Sequence, residues 1–142
     1  MFQDLSSIQQ FGTQVREGKL QIADAVEHYL NKVNERNTEL NIVVKGFDDE
    51  ARNRAESLDE ELRQGKDRGP MHGVPIAVKD IFAMTGRLPA AGSGAEIRCG
   101  NKDAAVISKL KASGAIILGT LNLDEFAAGG TGVNLWFGRC KN

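Results

Sequence analysis

The chain has 142 residues, a formal net charge of −1 at pH 7 and 26% charged residues. This length is enough for one domain with its own core, and the near-neutral charge argues against direct nucleic-acid binding or attachment to a membrane surface. The apolar runs are too short to cross a bilayer and the N-terminus has no signal-peptide pattern, so a cytoplasmic location is expected.

The first 65 residues have the pattern of helices with one short strand between them. Apolar side chains recur every three or four positions, which is the spacing of one helix face. Gly18 stands where a C-terminal cap is expected. The predicted elements are a helix over 6–17, a helix over 21–36, a strand over 41–45, and a helix from Asp48 or Asp49 to about residue 64.

The second part of the chain is rich in glycine and apolar residues, which predicts an α/β core. Pro75 suits an edge or entry position of its strand. The predicted elements are a strand over 74–78, a long loop over about 83–102, a helix capped by Asp103, a strand over 115–119, and a short helix from Asn122 or Asp124 through Phe126. The predicted fold class is α/β, with a helical layer over 1–65, the start of an α/β core over 66–142 and no second domain.

One lysine stands out because of where its strand ends. The apolar run before Lys79 and Asp80 contains no turn residue, so Lys79 is expected at the end of a buried strand. Burial disfavours the charged form of a lysine and makes it a candidate base. The alternative is a strand that reaches the surface and presents its charges to water.

Metal and cofactor sites are not predicted. Cys99 and Cys140 lie far apart, and His28 and His72 do not supply ligands at short spacing. Both cysteines are expected to be reduced thiols. His28 is expected on the polar face of a helix, and His72 in a turn that it stabilises.

Two glycine-containing segments could be compared with a phosphate-binding loop and with the nucleophile motif of a serine hydrolase. Gly129, Gly130, Thr131 and Gly132 follow a predicted helix instead of preceding one, and they lack the phosphate-loop pattern. They are expected to border a substrate pocket or to form a simple turn. Ser93 lies in a loop without a nucleophile-elbow motif and is expected to be a turn serine.

Six sequence blocks occur together in one order along the chain. They are GPMHGVPIAVKD from Gly69, AGS from Ala91, DAAV from Asp103, GAIILG from Gly114, NLDEFA from Asn122 and FGRCKN from Phe137. In type, order and spacing the blocks resemble the first third of the amidase signature family. The match is strong from about residue 69 onward and rests on helical pattern alone before that.

The resemblance implies both a fold and a chemistry. The implied fold is the N-terminal part of the amidase-signature fold, a mixed sheet with covering helices, here incomplete. The implied chemistry is hydrolysis of a small-molecule amide by a Ser-cisSer-Lys triad, in which Lys79 is the lysine. The substrate pocket would include Gly129, Gly130 and Thr131, and the family requires no cofactor or metal.

The resemblance also implies that this chain is inactive alone. In the family both serines lie in a glycine- and serine-rich segment beyond the block that matches residues 137–142, and the 142 residues do not include such a segment. Members of a catalytic unit act together, so the lysine by itself is not sufficient.

Two alternatives remain open at this point. Within the family, the chain could be part of the glutamine-hydrolysing subunit of the tRNA-dependent amidotransferase. In a different class, it could be a non-catalytic folded module that needs a partner chain. A sheet of this kind exposes an unpaired edge, through which self-association is expected.

Overall fold

The computed structural model describes residues 7–141 as an α/β arrangement. Its elements are α1 (Ile8–Arg16), α2 (Ile22–Leu40), β1 (Val43–Gly46), α3 (Asp48–Arg63), β2 (Pro75–Lys79), α4 (Ala105–Ala112), β3 (Ile116–Leu121) and a 3₁₀ turn (Glu125–Ala127). The predicted fold class and the order of elements are confirmed. Within residues 7–141, no helix has the length and apolar character needed to cross a membrane.

The three strands form one sheet in the order β1-β3-β2. Strands β1 and β3 are antiparallel. Strand β2 runs in the same direction as β3, because Ile116 donates its N–H to Val74 near the start and Asp80 donates to Leu121 near the end. The sheet is therefore mixed, as expected. Pro75 lies in an edge strand, which confirms its predicted position.

Several boundaries differ from the prediction. Helix α2 continues past residue 36 to Leu40. The Oδ1 atom of Asn37 accepts N–H groups of Ile42 at 2.9 Å and Val43 at 2.7 Å, and so ties the end of the helix to the following strand. Strand β3 extends to Leu121, because it pairs with β1 there. Residues 1–6 and Asn142 lie outside the described residues, and so do the parts of the predictions that fall on them.

The chain forms two compact units that interleave along the sequence. The first contains the described residues up to Lys32, with Phe47–Ile76 and Lys109–Leu118. Its core is a single apolar cluster to which three helices, strand β3 and the residue directly before β2 contribute. The buried members are Phe11, Val15, Ile22, Ala25, Val26, Leu30, Ala51, Ala55, Leu58, Val74, Ile116 and Leu118. The predicted division at residue 65 and the absence of a second domain stay predictions.

The first backbone N–H groups of helix α2 donate to a carboxylate from another helix. Asp59 of α3 accepts the N–H of Ile22 on Oδ1 and the N–H of Ala23 on Oδ2, both at 2.9 Å. The first turn of a helix has N–H groups without intrahelical partners, and a negative charge there is favourable. Asp59 therefore joins α2 and α3 through polar contacts above their shared apolar core.

The turn between α3 and β2 is held by His72 and Arg68. His72 is 2% exposed, and its Nδ1 accepts the N–H of Arg68 at 3.0 Å while its Nε2 lies 3.0 Å from the carbonyl oxygen of Leu58. The Arg68 side chain pairs with Glu61 and also reaches the carbonyl of Ala112. The prediction that His72 stabilises a turn is confirmed.

The ion pair of Glu61 and Arg68 makes a pH-dependent contribution to stability. The Arg68 guanidinium lowers the pKa of Glu61 from 4.5 to about 2. In the unfolded chain Glu61 binds a proton at a higher pH than in the folded chain. Its stabilising contribution is therefore complete above about pH 4.5 and is lost as the pH falls towards about 2.

We expect Glu61→Gln to flatten the loss of thermal stability on acidification. The variant lacks the charge that Arg68 stabilises, so its melting temperature should fall less between about pH 5 and about pH 2 than that of the unchanged chain. Glu56→Gln, an exposed position on the same helix, is the matched control and should keep the original slope. Identical slopes for all three proteins would contradict this account of Glu61.

Candidate active site

Lys79 is the last residue of β2 and lies in the second unit, which contains Val33–Gly46, Ala77–Ser108 and the described residues from Gly119 onward. Its side chain is exposed, whereas Val78 and Asp80 are buried. Successive side chains of a strand point to opposite faces, which separates Lys79 from both neighbours. Of the two alternatives for this strand, the described residues show the second, in which the strand reaches the surface and Lys79 presents its charge to water. Its ammonium group makes no hydrogen bond or ion pair within residues 7–141.

Asp80 fixes the backbone directly after Lys79. It is 2% exposed and its main-chain N–H donates to the carbonyl of Leu121 at 3.1 Å. Its own carbonyl accepts the N–H of Ala91 at 2.8 Å, and its Oδ2 accepts the N–H of Ala90 at 3.0 Å. Asp80 thus joins the end of β2 to β3 and to the following loop.

The loop that Asp80 holds has an uncommon backbone conformation. Ala91 has φ of 50° and Gly92 has φ of 73°, both in the left-handed region. Ser93 Oγ lies 2.7 Å from the carbonyl oxygen of Ala90 and 2.9 Å from that of Ala95. The hydroxyl is engaged by the loop itself, which confirms Ser93 as a turn serine. The wider segment 83–102 contains no helix or strand, as predicted, and its single isolated bridge joins Met84 to Arg87.

Asn134 is a second buried polar residue of this unit, at 5% exposure. Its Nδ2 donates to the carbonyls of Gly92 at 2.7 Å and Leu123 at 2.8 Å. Its Oδ1 accepts the N–H groups of Trp136 and Phe137, both at 2.8 Å. Sequence reasoning did not single out Asn134, although asparagine often accepts backbone N–H groups two residues on.

The predicted pocket residues Gly129, Gly130 and Thr131 form an exposed turn around Asp124. Asp124 Oδ2 accepts the N–H of Thr131 at 2.9 Å, and Oδ1 accepts its hydroxyl at 3.2 Å. Asp124 lies directly before the 3₁₀ turn Glu125–Ala127, at one of the two predicted starting positions of a short helix, and its side chain makes no capping hydrogen bond there. No hydrogen bond or ion pair joins this turn to Lys79 in the described part of the chain.

The chemistry available to the described residues is limited. Residues 7–141 contain no group of three or more histidine, cysteine, aspartate or glutamate side chains that could hold a metal ion. Cys99 and Cys140 are free thiols, as predicted. Lys79 is an accessible amine at the end of a strand whose backbone is held by Asp80. The unit therefore presents an exposed amine, and its loop serine is engaged by backbone carbonyls.

Comparison with known proteins identifies the family. The family model described as Amidase matches residues 24–142. The chain belongs to the amidase family. It is 37% identical to a glutamyl-tRNA(Gln) amidotransferase subunit from Chlorobium chlorochromatii, over 97% of this chain and 29% of that protein.

Solved structures agree with this assignment. An amidase crystal structure matches 96% of the chain and 31% of its own length with 30% identity and a TM-score of 0.88. The native peptide amidase of Stenotrophomonas maltophilia matches 96% of the chain and 30% of its own length with 26% identity and a TM-score of 0.86. The chain thus spans less than a third of the length of each of these relatives. The expected amidase-signature fold is confirmed over the N-terminal portion.

We expect Asp80→Ala to lower the free energy of unfolding by about 1–3 kcal/mol, because the N–H of buried Ala90 loses its acceptor. Asp80→Asn keeps an oxygen that can accept this hydrogen bond and should cost less. Urea titration of both variants measures the difference. Equal losses in the two variants would contradict the role assigned to the Asp80 oxygen.

Proposed function

We propose that this chain is the lysine-bearing N-terminal part of an amide hydrolase, in which Lys79 is the catalytic base. The observation that supports this most is the place of Lys79 within the sequence block shared with the amidase family, at the end of a strand fixed by Asp80. The substrate class is a small-molecule carboxamide or a simple substituted amide. The reaction converts it with water to an acid and ammonia or an amine.

In the proposed reaction, Lys79 in its neutral form accepts the proton of the attacking serine hydroxyl. A serine hydroxyl attacks the amide carbonyl carbon poorly unless a base removes its proton. Lysine is suited to this role because its amine stands on a flexible stem and loses its charge readily when covered. The second serine of the triad passes the proton to the leaving amine. Backbone N–H groups stabilise the oxyanion of the tetrahedral intermediate.

The two serines are expected in a glycine- and serine-rich segment, which these 142 residues do not include. The 142 residues alone are therefore expected to be inactive. Additional polypeptide that carries the serines would also cover Lys79, which is exposed here, and burial disfavours the charged form of the amine. In this proposal, the same additional polypeptide therefore both covers Lys79 and completes the triad.

A second candidate within the family is the glutamine-hydrolysing component of a glutamyl-tRNA(Gln) amidotransferase. Relatives named as a subunit of that enzyme match the chain with 37% identity in Chlorobium chlorochromatii and 35% in Neorickettsia sennetsu. The chemistry at Lys79 would be the same, with glutamine as the amide. Substrate choice separates the candidates: ammonia release from glutamine in preference to aryl and alkyl carboxamides would favour the amidotransferase.

A non-catalytic module is the candidate from another class. Leu135 is 90% exposed and Trp136 is 63% exposed, and β2 has one edge that is unpaired among residues 7–141. Exposed apolar side chains and free strand edges are features of surfaces that bind other polypeptides. Sedimentation and a thermal melt of the 142-residue chain test this candidate: a monomer that melts cooperatively would favour the folded module, and aggregation would contradict it.

We expect Lys79→Ala to abolish amide hydrolysis in a polypeptide that extends this sequence through a glycine- and serine-rich segment. Loss of a general base lowers the rate by roughly 100- to 10,000-fold. Lys79→Arg should be equally inactive, because arginine keeps its proton at working pH. The measurement is release of ammonia from a carboxamide.

Lys102→Ala is the matched control for this experiment, since Lys102 is an exposed lysine of the long loop. Its activity should equal that of the unchanged polypeptide. Activity that survives in either Lys79 variant would remove Lys79 from the proposed mechanism.

A further inference from the structure

The side chain of Asn134 uses its full hydrogen-bonding capacity on the backbone. Its two donors go to Gly92 and Leu123, and its oxygen accepts from Trp136 and Phe137. All four contacts are 2.7–2.8 Å long. A buried amide in which every site is satisfied fixes the segments around it, because each carbonyl it releases would stay buried without a donor.

Gly92 permits this close approach. A Cβ atom at this position would lie 2.8 Å from Asn134 Nδ2 and 2.9 Å from the carbonyl oxygen of Leu123. The residue also has φ of +73°, a conformation that other residues adopt at a cost. The contact between the loop and Asn134 therefore depends on a glycine at residue 92.

The same loop is held at its other end by Asp80. The N–H groups of Ala90 and Ala91 both donate to Asp80, and the carbonyl of Ala91 accepts the N–H of Phe126 at 2.7 Å. Asp80 and Asn134 thus hold consecutive residues of one loop, Asp80 at Ala90 and Ala91 and Asn134 at Gly92. Asp80 is also the residue that follows Lys79.

We propose that Asn134 is a positioning residue that acts with Asp80 to fix the loop Ala90–Gly92, and through it the end of β2 that carries Lys79. This inference rests on the proposed function for its catalytic meaning. A base works only when it is held within reach of the proton it accepts, and small displacements lower the rate strongly. Asn134 itself touches no reacting atom.

Amide hydrogen exchange of the 142-residue chain tests this inference directly. Asn134→Asp keeps the oxygen acceptor for Trp136 and Phe137 but replaces the two donors. We expect the N–H groups of Ala90 and Ala91 to exchange roughly tenfold faster in this variant, since the loop loses its attachment at Gly92. The N–H groups of Trp136 and Phe137 should keep their protection.

Gly92→Ala approaches the same contact from the loop side. It should produce the same local increase in exchange at Ala90 and Ala91 without changing the chemistry of the Asn134 side chain. The two substitutions should be non-additive when combined, because they disrupt one contact. In both variants the backbone amide resonances of Lys79 and Asp80 should shift.

Asn37→Asp is the matched control. Asn37 is another asparagine of this unit whose oxygen accepts two backbone N–H groups and whose Nδ2 donates to a carbonyl. Its substitution should leave exchange at Ala90 and Ala91 and the Lys79 resonance unchanged. Uniform loss of protection in the Asn134 and Gly92 variants, or an unchanged Lys79 resonance, would overturn the positioning role.

The test of Asn134 can fail independently of the test of Lys79 as the catalytic base. Amide hydrolysis that survives Lys79→Ala would refute the proposed base even if the exchange pattern is local. An exchange pattern without local change would refute the role of Asn134 even if Lys79 proves essential.

Discussion

The buried carboxylate of Asp80 is the interaction on which the organisation of the second unit depends. It lies at the end of β2, and the residue contacts β3 through its N–H and the loop Ala90–Gly92 through its carbonyl and Oδ2. A carboxylate removed from water is costly unless hydrogen bonds compensate for the lost hydration. The N–H groups of Ala90 and Ala91 supply hydrogen bonds to Asp80, and Asp80 in turn fixes this loop together with Asn134 and Phe126. The two features stabilise each other.

The alternation of a strand explains why Lys79 and Asp80, neighbours in sequence, have opposite environments. Burial of Asp80 sends Lys79 to the other face, where its amine is exposed. The chain matches 29% of the length of one amidase relative and 31% of one solved structure.

The first unit is stabilised by a different combination of forces. Its apolar cluster supplies most of the burial, and polar groups from α3 and the following turn then fix the ends of neighbouring segments. Asp59 accepts the first N–H groups of α2, while the buried imidazole of His72 accepts the N–H of Arg68. These contacts fix how the segments are oriented around the apolar core, because hydrogen bonds require a defined geometry and apolar packing does not.

Apolar spacing and glycine positions in the sequence determined the elements and their order, because the periods of helices and strands depend on local backbone geometry. Shared blocks around Gly69 and Asn122 determined the family and pointed to Lys79. Only the tertiary structure decided that Lys79 is exposed, that Asp124 binds Thr131, and that Asn134 contacts Gly92. These contacts join residues whose proximity follows from how the chain packs, and a local pattern of residues carries no record of that packing.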